Sequence, residues 1–358
     1  MRFAFYALTD FQLFNILKFV MADCEHSREA GDLYLGDNLK EVARKKEALL
    51  ALNLFSHVYI VHTLAYPSNK YIRKLTTSVR SMNRGLLGKL IDEECAAEIF
   101  RRQYDVAVVA CAALQFQVFW NYFRPKEIFL IEDGTGSYSG DINQATISRM
   151  RLMLSRLMGY SPRFTKMYVN SASFCRSTMQ LEICEIPQPE PDSFESAALT
   201  VFQNNQFHET YRPRDVIYLE QPVDAAETEL IQRQRATLAL LSEIYGDRLI
   251  VRRHPGMKNE KKGDYRYDTD YDMWELVAAK QISRENILIG EYSTAQITPK
   301  LLFGKEPYVV FLYRLFKPEA TSKLNQTYQD FCALYSDPRR ISAPSTLEEL
   351  QRCLREIP

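Results

Sequence analysis

The sequence predicts an α/β chain made of two Rossmann-like domains facing a cleft. Three observations carry that expectation. Short apolar runs alternate with helical patterns over most of the 358 residues, as in a parallel sheet covered on both faces. A polar stretch with three prolines, Ile186–Ser193, interrupts the alternation. A second alternating series then begins at Val216. The length suits two domains at roughly 100–200 residues each.

In chain order, strands are expected at Phe3–Ala7, Leu33–Leu35, Val58–Val61, Val106–Ala110 and Ile128–Ile131. Helices are expected between them at Phe11–Ala22, Leu39–Leu52, Leu87–Arg101 and Ala113–Tyr122. Val106–Phe123 carries no charge and has about the length of a membrane span. Gln115, Gln117 and Asn121 interrupt it, so it reads as a buried strand running into a buried helix. Prolines cannot continue a helix or a central strand, so Ile186–Ser193 reads as the start of an inter-domain connection that runs to about Pro213. The first domain is placed at 1–195 and the second at 212–358. In the second, strands are expected at Val216–Leu219, Leu249–Val251, Ile287–Ile289 and Tyr308–Phe311. Its helices are expected at Ala225–Tyr245, Ala295–Phe303, Asn325–Leu334 and Leu347–Glu356.

Composition narrows the function classes. Apolar residues make up 46% and charged residues 25%, which is globular. Lys plus Arg and Asp plus Glu number 45 each, so the chain lacks the basic excess of a nucleic-acid binder. Seven cysteines without CxxC spacing read as free thiols in a reducing compartment, with no zinc site. Asp10 comes too early for a signal-peptide core, so a cytoplasmic location is expected. Met150–Met158, with Arg149, Arg151, Arg156, Arg163 and Lys166, is basic and apolar. A surface helix packed on its own domain is one reading; peripheral contact with the anionic inner face of a membrane is the other. Monomer and homodimer both stay open.

Three clusters sit at or just beyond expected strand ends, where open α/β sheets bind ligands. In the first, an apolar strand stops at Glu132 and Asp133, followed by Gly134 and Gly136, which let the backbone turn sharply. Adjacent carboxylates raise one pKa and so produce a general base; the plain alternative is a turn with solvated acids. In the second, a strand delivers Arg252, Arg253 and His254, and Pro255 turns the chain away. An imidazole flanked by two guanidiniums suits a phosphate; the alternative is an ordinary loop histidine. In the third, Gly290 turns the chain after a strand, and Ser293 or Thr294 caps the next helix. Its first turn offers an anion site, and simple capping is compatible with that.

The order Glu132-Asp133-Gly134, His254-Pro255, Ser293-Thr294 resembles the three short motifs of bacterial sialyltransferases, and of glycosyltransferase family 52, the lipooligosaccharide sialyltransferases, in particular. Gln221-Pro222 and the helix behind Ser293 are similar too. The resemblance implies a GT-B fold, a CMP-sugar donor, a glycan or glycolipid acceptor and no metal. It also implies that Asp133, or Glu132, takes the acceptor proton, that His254 holds or protonates the departing CMP phosphate, and that Ser293 and Thr294 bind it. Asp224, just before the HP pair's strand system, is the second candidate base. The expected reaction is an inverting transfer of sialic acid from CMP-sialic acid to a galactose-ended glycan or lipooligosaccharide. Two alternatives remain: a transferase for another nucleotide-activated sugar, and a non-catalytic glycan- or nucleotide-binding protein.

Asp268-Thr-Asp270-Tyr-Asp272 does not fit a calcium loop, because Met273 and Ala279 replace the required Gly and Glu. It reads as a solvated acidic loop with Tyr265, Tyr267 and Tyr271 packed nearby, with a metal-dependent nucleotide-sugar site as the alternative. Gly134-Thr-Gly136 lacks the third glycine of a dinucleotide fingerprint.

Overall fold

The computed structural model describes all residues except 23–30, 64–86, 92–96, 111–113, 139–148, 158, 177–180, 204–205, 224–226, 255–262, 271, 319–320 and 358. The chain divides into two compact units, Met1–Gln206 and Phe207–Pro358.

The first unit is built on a seven-stranded parallel sheet in the order β3-β2-β1-β4-β5-β6-β7. Its strands are β1 (Phe3–Ala7), β2 (Asp32–Gly36), β3 (His57–Val61), β4 (Val106–Val109), β5 (Glu127–Ile131), β6 (Phe164–Val169) and β7 (Glu182–Glu185). The central strands are apolar along their length because both faces are covered, and β4 is buried at every position. Register is tight in the centre: Phe5 lies opposite Leu33 on one side and Val108 on the other. Described helices are α1 (Asp10–Ala22), α2 (Val42–Ala51), α3 (Leu114–Phe123), α4 (Arg149–Leu157) and α5 (Pro191–Gln203), with a single turn at Leu87–Leu90. Of the expected helix Leu87–Arg101, residues 87–90 and 97–99 are helical, and 92–96 lie outside the described residues.

Helix α5 revises the expectation for the connection. The prolines do end the preceding structure, but Pro191 opens a helix, where its missing N–H costs nothing. Glu190 caps it by accepting from the N–H groups of Asp192 and Ser193. Ala197, Ala198, Val201 and Phe202 are buried. Phe14 of α1 packs edge-on against Phe194 and tilted against Phe202. The chain therefore returns to the first unit after the proline stretch.

The second unit repeats the same strand order in a six-stranded parallel sheet, β10-β9-β8-β11-β12-β13. Its strands are β8 (Val216–Leu219), β9 (Leu249–Arg252), β10 (Arg266–Tyr267), β11 (Ile287–Gly290), β12 (Tyr308–Phe311) and β13 (Ile341–Ser342). Around it lie α6 (Thr228–Tyr245), α7 (Trp274–Lys280), α8 (Thr294–Phe303), α9 (Tyr313–Phe316), α10 (Thr321–Ala333) and α11 (Leu347–Glu356). One face of the sheet packs Leu249, Val251 and Ile289 with Leu238 and Leu241. The other packs Ile250 and Leu288 with Trp274 and Val277. Four strands were not expected from sequence. β6 mixes Thr and Lys into a half-covered strand, and β7, β10 and β13 are short.

Candidate functional site

In each unit the strand order reverses direction beside the first strand, between β1 and β4 and between β8 and β11. The loops at the carboxyl ends there form the crevice in which such sheets bind ligands.

In the first unit, β5 ends at Ile131 and is followed by Glu132 and Asp133. The two carboxylates have different surroundings. Glu132 is 1% exposed. Its Oε2 accepts from the Tyr138 hydroxyl at 2.5 Å, the Asn170 backbone N–H at 2.7 Å and the Asn170 side-chain amide at 2.9 Å. Asn170 in turn donates to Asn15 Oδ1 at 3.1 Å and accepts from Lys18 Nζ at 2.9 Å. Burial pushes the Glu132 carboxyl above its ordinary value, against those hydrogen bonds. Burial lowers the Lys18 ammonium to about 8, opposed by the charge of Glu132. Lys18 and Glu132 thus anchor a buried polar network that ties α1, the end of β5 and the residue after β6 together.

Asp133 is half-buried. Gln12 Nε2 donates to its Oδ1 at 2.6 Å, and its own backbone N–H donates to Ser137 Oγ at 2.8 Å. Burial raises its pKa, and the Gln12 bond opposes that rise. The sequence expectation attributed a raised pKa to repulsion between the neighbouring acids. The structure corrects this: desolvation raises both, because the two side chains take separate partners. Gly134 follows with φ 90°, a conformation that a side chain would strain. Gln12, Asn15, Lys18, Tyr138 and Asn170 escaped the sequence reading. Their one signal was polarity on an otherwise apolar helix: Gln12, Asn15 and Lys18 follow one another at helical spacing.

In the second unit, β9 ends at Arg252, followed by Arg253 and His254. Successive side chains leave a strand on opposite faces, so the two arginines do not flank the imidazole as a pair. Arg252 lies on the face of Ile250. It is ion-paired to Asp268, donates to the Tyr211 hydroxyl at 3.3 Å and to the Asp272 carbonyl, and sits over the Trp274 ring at 5.1 Å. Arg253 goes to the face of Val251, buried over the Tyr267 ring at 4.4 Å with Glu220 at 3.9 Å. His254 reaches solvent, and partial desolvation lowers its pKa below the ordinary value.

Of the three acids expected in a solvated loop, Asp270 alone is exposed. Asp268 and Asp272 are 2% and 3% exposed. Asp268 accepts from Tyr211 and Arg252, Asp270 from the Thr210 hydroxyl at 2.8 Å, and Asp272 from the His208 backbone N–H at 2.8 Å. Among the described residues no group of three His, Cys, Asp or Glu is placed to hold a metal ion.

After β11, Gly290 is required by close approach: a Cβ there would lie 3.2 Å from the Leu219 carbonyl oxygen and from Gln296 Oε1. Ser293 is the N-cap of α8 in a capping box. Its Oγ accepts from the Ala295 N–H at 3.3 Å and its own N–H donates to Gln296 Oε1 at 3.0 Å. Gln296 Nε2 fixes the box to the sheet through the Val310 carbonyl at 3.0 Å. Thr294 opens the helix. Gln221 and Pro222 follow β8, and the Gln221 carbonyl accepts from Gln234 at 3.4 Å. β8 lies between β9 and β11, so the strands carrying His254 and Ser293 run about 10 Å apart, two strand spacings. Asp224 and Pro255 lie outside the described residues.

Of the stretch Met150–Met158, residues 150–157 lie in α4, on which Met153 and Leu157 are 55% and 72% exposed, and Met158 lies outside the described residues. Among the described residues no helix is long and apolar enough to cross a membrane. Among the described residues, Cys175, Cys184, Cys332 and Cys353 form no disulfide.

No family model and no curated protein matches the chain. Solved structures do. The chain is similar over its full length to 92% of a Methanocaldococcus jannaschii UDP-GlcNAc 2-epimerase in complex with UDP-GlcNAc and UDP, at 11% identity and a TM-score of 0.52. It covers all of itself and 90% of the calicheamicin glycosyltransferase CalG4, at 9% identity and 0.52. Over 96% of its length it matches the whole GT-B domain of a Photobacterium damselae sialyltransferase, at 11% identity and 0.51. The fold is of the GT-B type. At these identities the likeness concerns the fold alone. Within that GT-B framework, Asp133 belongs to the first Rossmann-like unit, and His254, Ser293 and Thr294 belong to the second.

Proposed function

We propose that the protein is an inverting glycosyltransferase that moves sialic acid from CMP-sialic acid to a galactose-ended glycan or lipooligosaccharide. The observation that carries this reading is the difference between the two acids after β5. Glu132 is buried and takes three donors on one oxygen, whereas Asp133 is half-buried and takes one amide donor. A carboxylate so placed at a strand's carboxyl end suits a general base. His254 and the Ser293-Thr294 pair follow β9 and β11, at the carboxyl ends of strands of the second sheet. A sialyltransferase is among the proteins with this fold.

In this mechanism the acceptor oxygen bonds to the anomeric carbon as the bond from that carbon to the phosphate oxygen breaks. The acceptor proton passes to Asp133, and the phosphate leaves with the electron pair. The sugar ring becomes oxocarbenium-like. Negative charge growing on the phosphate is met by His254, in its protonated form, and by the hydroxyls. The Ser293 oxygen already accepts from Ala295, so its O–H is the part that donates. Losing one such donor typically costs ~10²–10³ in rate. Arg252 takes no part, being bound to Asp268. The reading needs no metal. Exposed Met153, Arg156 and Leu157 on α4 suit a peripheral contact with the anionic inner membrane face, near a lipid-anchored acceptor.

The test is a thermal-shift panel of CMP, UDP and GDP without metal, followed by transfer assays on Asp133→Asn and His254→Ala. At a ligand concentration of 100 Kd the native state gains about 2.7 kcal/mol. CMP is expected to raise Tm and both variants to lose transfer. A second reading keeps the scaffold and changes the donor, since a neighbour of the same fold holds UDP-GlcNAc. Stabilisation by UDP and not CMP selects that reading. CMP binding with neither transfer nor slow hydrolysis of CMP-sialic acid makes the protein a binder.

A further inference from the structure

We infer that Gln12 is the positioning residue of Asp133: its fixed side-chain amide occupies Oδ1 and leaves Oδ2 to receive the acceptor proton. This rests on the reading of Asp133 as the base. Gln12 is 2% exposed on the first turn of α1. Its Oε1 accepts from the Leu8 backbone N–H at 2.7 Å, and its Nε2 donates to Asp133 Oδ1 at 2.6 Å. These two bonds settle the amide's orientation. A flip would set the NH₂ against the Leu8 N–H and the carbonyl oxygen against a carboxylate, two repulsive pairs in place of two bonds. Thr9 Oγ1 holds the Gln12 backbone N–H at 3.2 Å. The β1–α1 turn thus presents one rigid donor to the acid.

That donor has two effects. It aims the carboxylate, whose backbone is held separately by Ser137. It also favours the ionised form against burial, because a hydrogen bond to a carboxylate stabilises the charge. Other charges near this end of the sheet are turned elsewhere among the described residues. Glu132 faces Tyr138 and Asn170, Lys18 faces Asn170, and Asp10 pairs with Lys45 at 2.6 Å. Gln12 is therefore the group that offsets the effect of burial on Asp133.

The experiment compares wild type, Gln12→Leu, Gln12→Glu and Asp133→Asn. The Asp133 carboxyl is titrated by NMR in aspartate-¹³C-labelled protein, its signal assigned by loss in Asp133→Asn. kcat/KM for transfer is measured against pH on the same samples. In Gln12→Leu the Asp133 carboxyl is expected to titrate about one pH unit higher, and the acid limb of kcat/KM to move with it, about tenfold less activity at a fixed pH on that limb. Gln12→Glu is nearly isosteric, so it guards against a folding defect. It places a second carboxyl against the first and is expected to shift the limb further. As pH rises past the limb, the ratio of each variant's kcat/KM to that of wild type is expected to climb back toward one. An Asp133 titration unchanged in both variants, with Asp133→Asn inactive, overturns the role of Gln12 and leaves the base standing. An equal loss of transfer at every pH does the same. Transfer that survives Asp133→Asn removes the base and this role together.

Discussion

Replacing Glu132 by Ala tests whether the two neighbouring acids have separate tasks. The substitution removes the acceptor for three buried donors: the Tyr138 hydroxyl, the Asn170 N–H and the Asn170 side-chain amide. At about 1–1.5 kcal/mol for each net hydrogen bond, the loss is about 3–4.5 kcal/mol. A unit the size of Met1–Gln206 moves by roughly 2–4 °C per kcal/mol, so its Tm is expected to fall by about 6–18 °C. Asp133→Asn keeps shape at a half-buried position and is expected to leave Tm within about 2 °C, while transfer is lost. Differential scanning calorimetry and a transfer assay on the same two samples give the comparison. A Glu132→Ala protein that melts like wild type but no longer transfers would refute the assignment, since the buried acid would then be serving chemistry and not the network.

The pH dependence follows from signs. Asp133 titrates above its ordinary 3.8 and His254 below its ordinary 6.5; with the base ionised and the imidazole protonated, kcat/KM is expected to trace a narrow bell on the acid side of neutrality, and a flat profile over about pH 6–8 contradicts that pairing. Glu132 binds its proton more tightly folded than unfolded, so its contribution to stability is present below 4.5 and is lost as pH rises through its raised folded pKa; chemical denaturation is expected to show Glu132→Gln gaining on wild type as pH increases. Ser293→Ala removes the cap of α8 and is expected to cost ~1 kcal/mol, with Ser293→Gly costing a few tenths; equal losses in denaturant melts argue against the cap. Arg252→Met strands the buried Asp268 and is expected to cost about 3–5 kcal/mol; unchanged stability with a raised donor KM would instead make Arg252 a phosphate ligand.

The repeating strand-helix layout was readable from the sequence because its central strands are covered on both faces. Such strands must be apolar throughout, and runs such as Val106–Val109 and Val216–Leu219 announce themselves without knowledge of their neighbours. The glycine and cap at Gly290 and Ser293 were readable for a similar reason, since turns and helix starts impose local demands. Side-chain partnership was not. Arg252 and Arg253 are adjacent in sequence yet sit on opposite faces, one bound to Asp268 and the other over Tyr267. Glu132 and Asp133 are adjacent too, and only the residues brought up by α1 and the end of β6 distinguish a saturated acid from an available one. Local sequence determines where backbone turns and apolar runs fall, because those are short-range properties. Which polar groups meet depends on distant contacts, such as that between Asn15 and Asn170, 155 residues apart, and those exist only after the strands have paired.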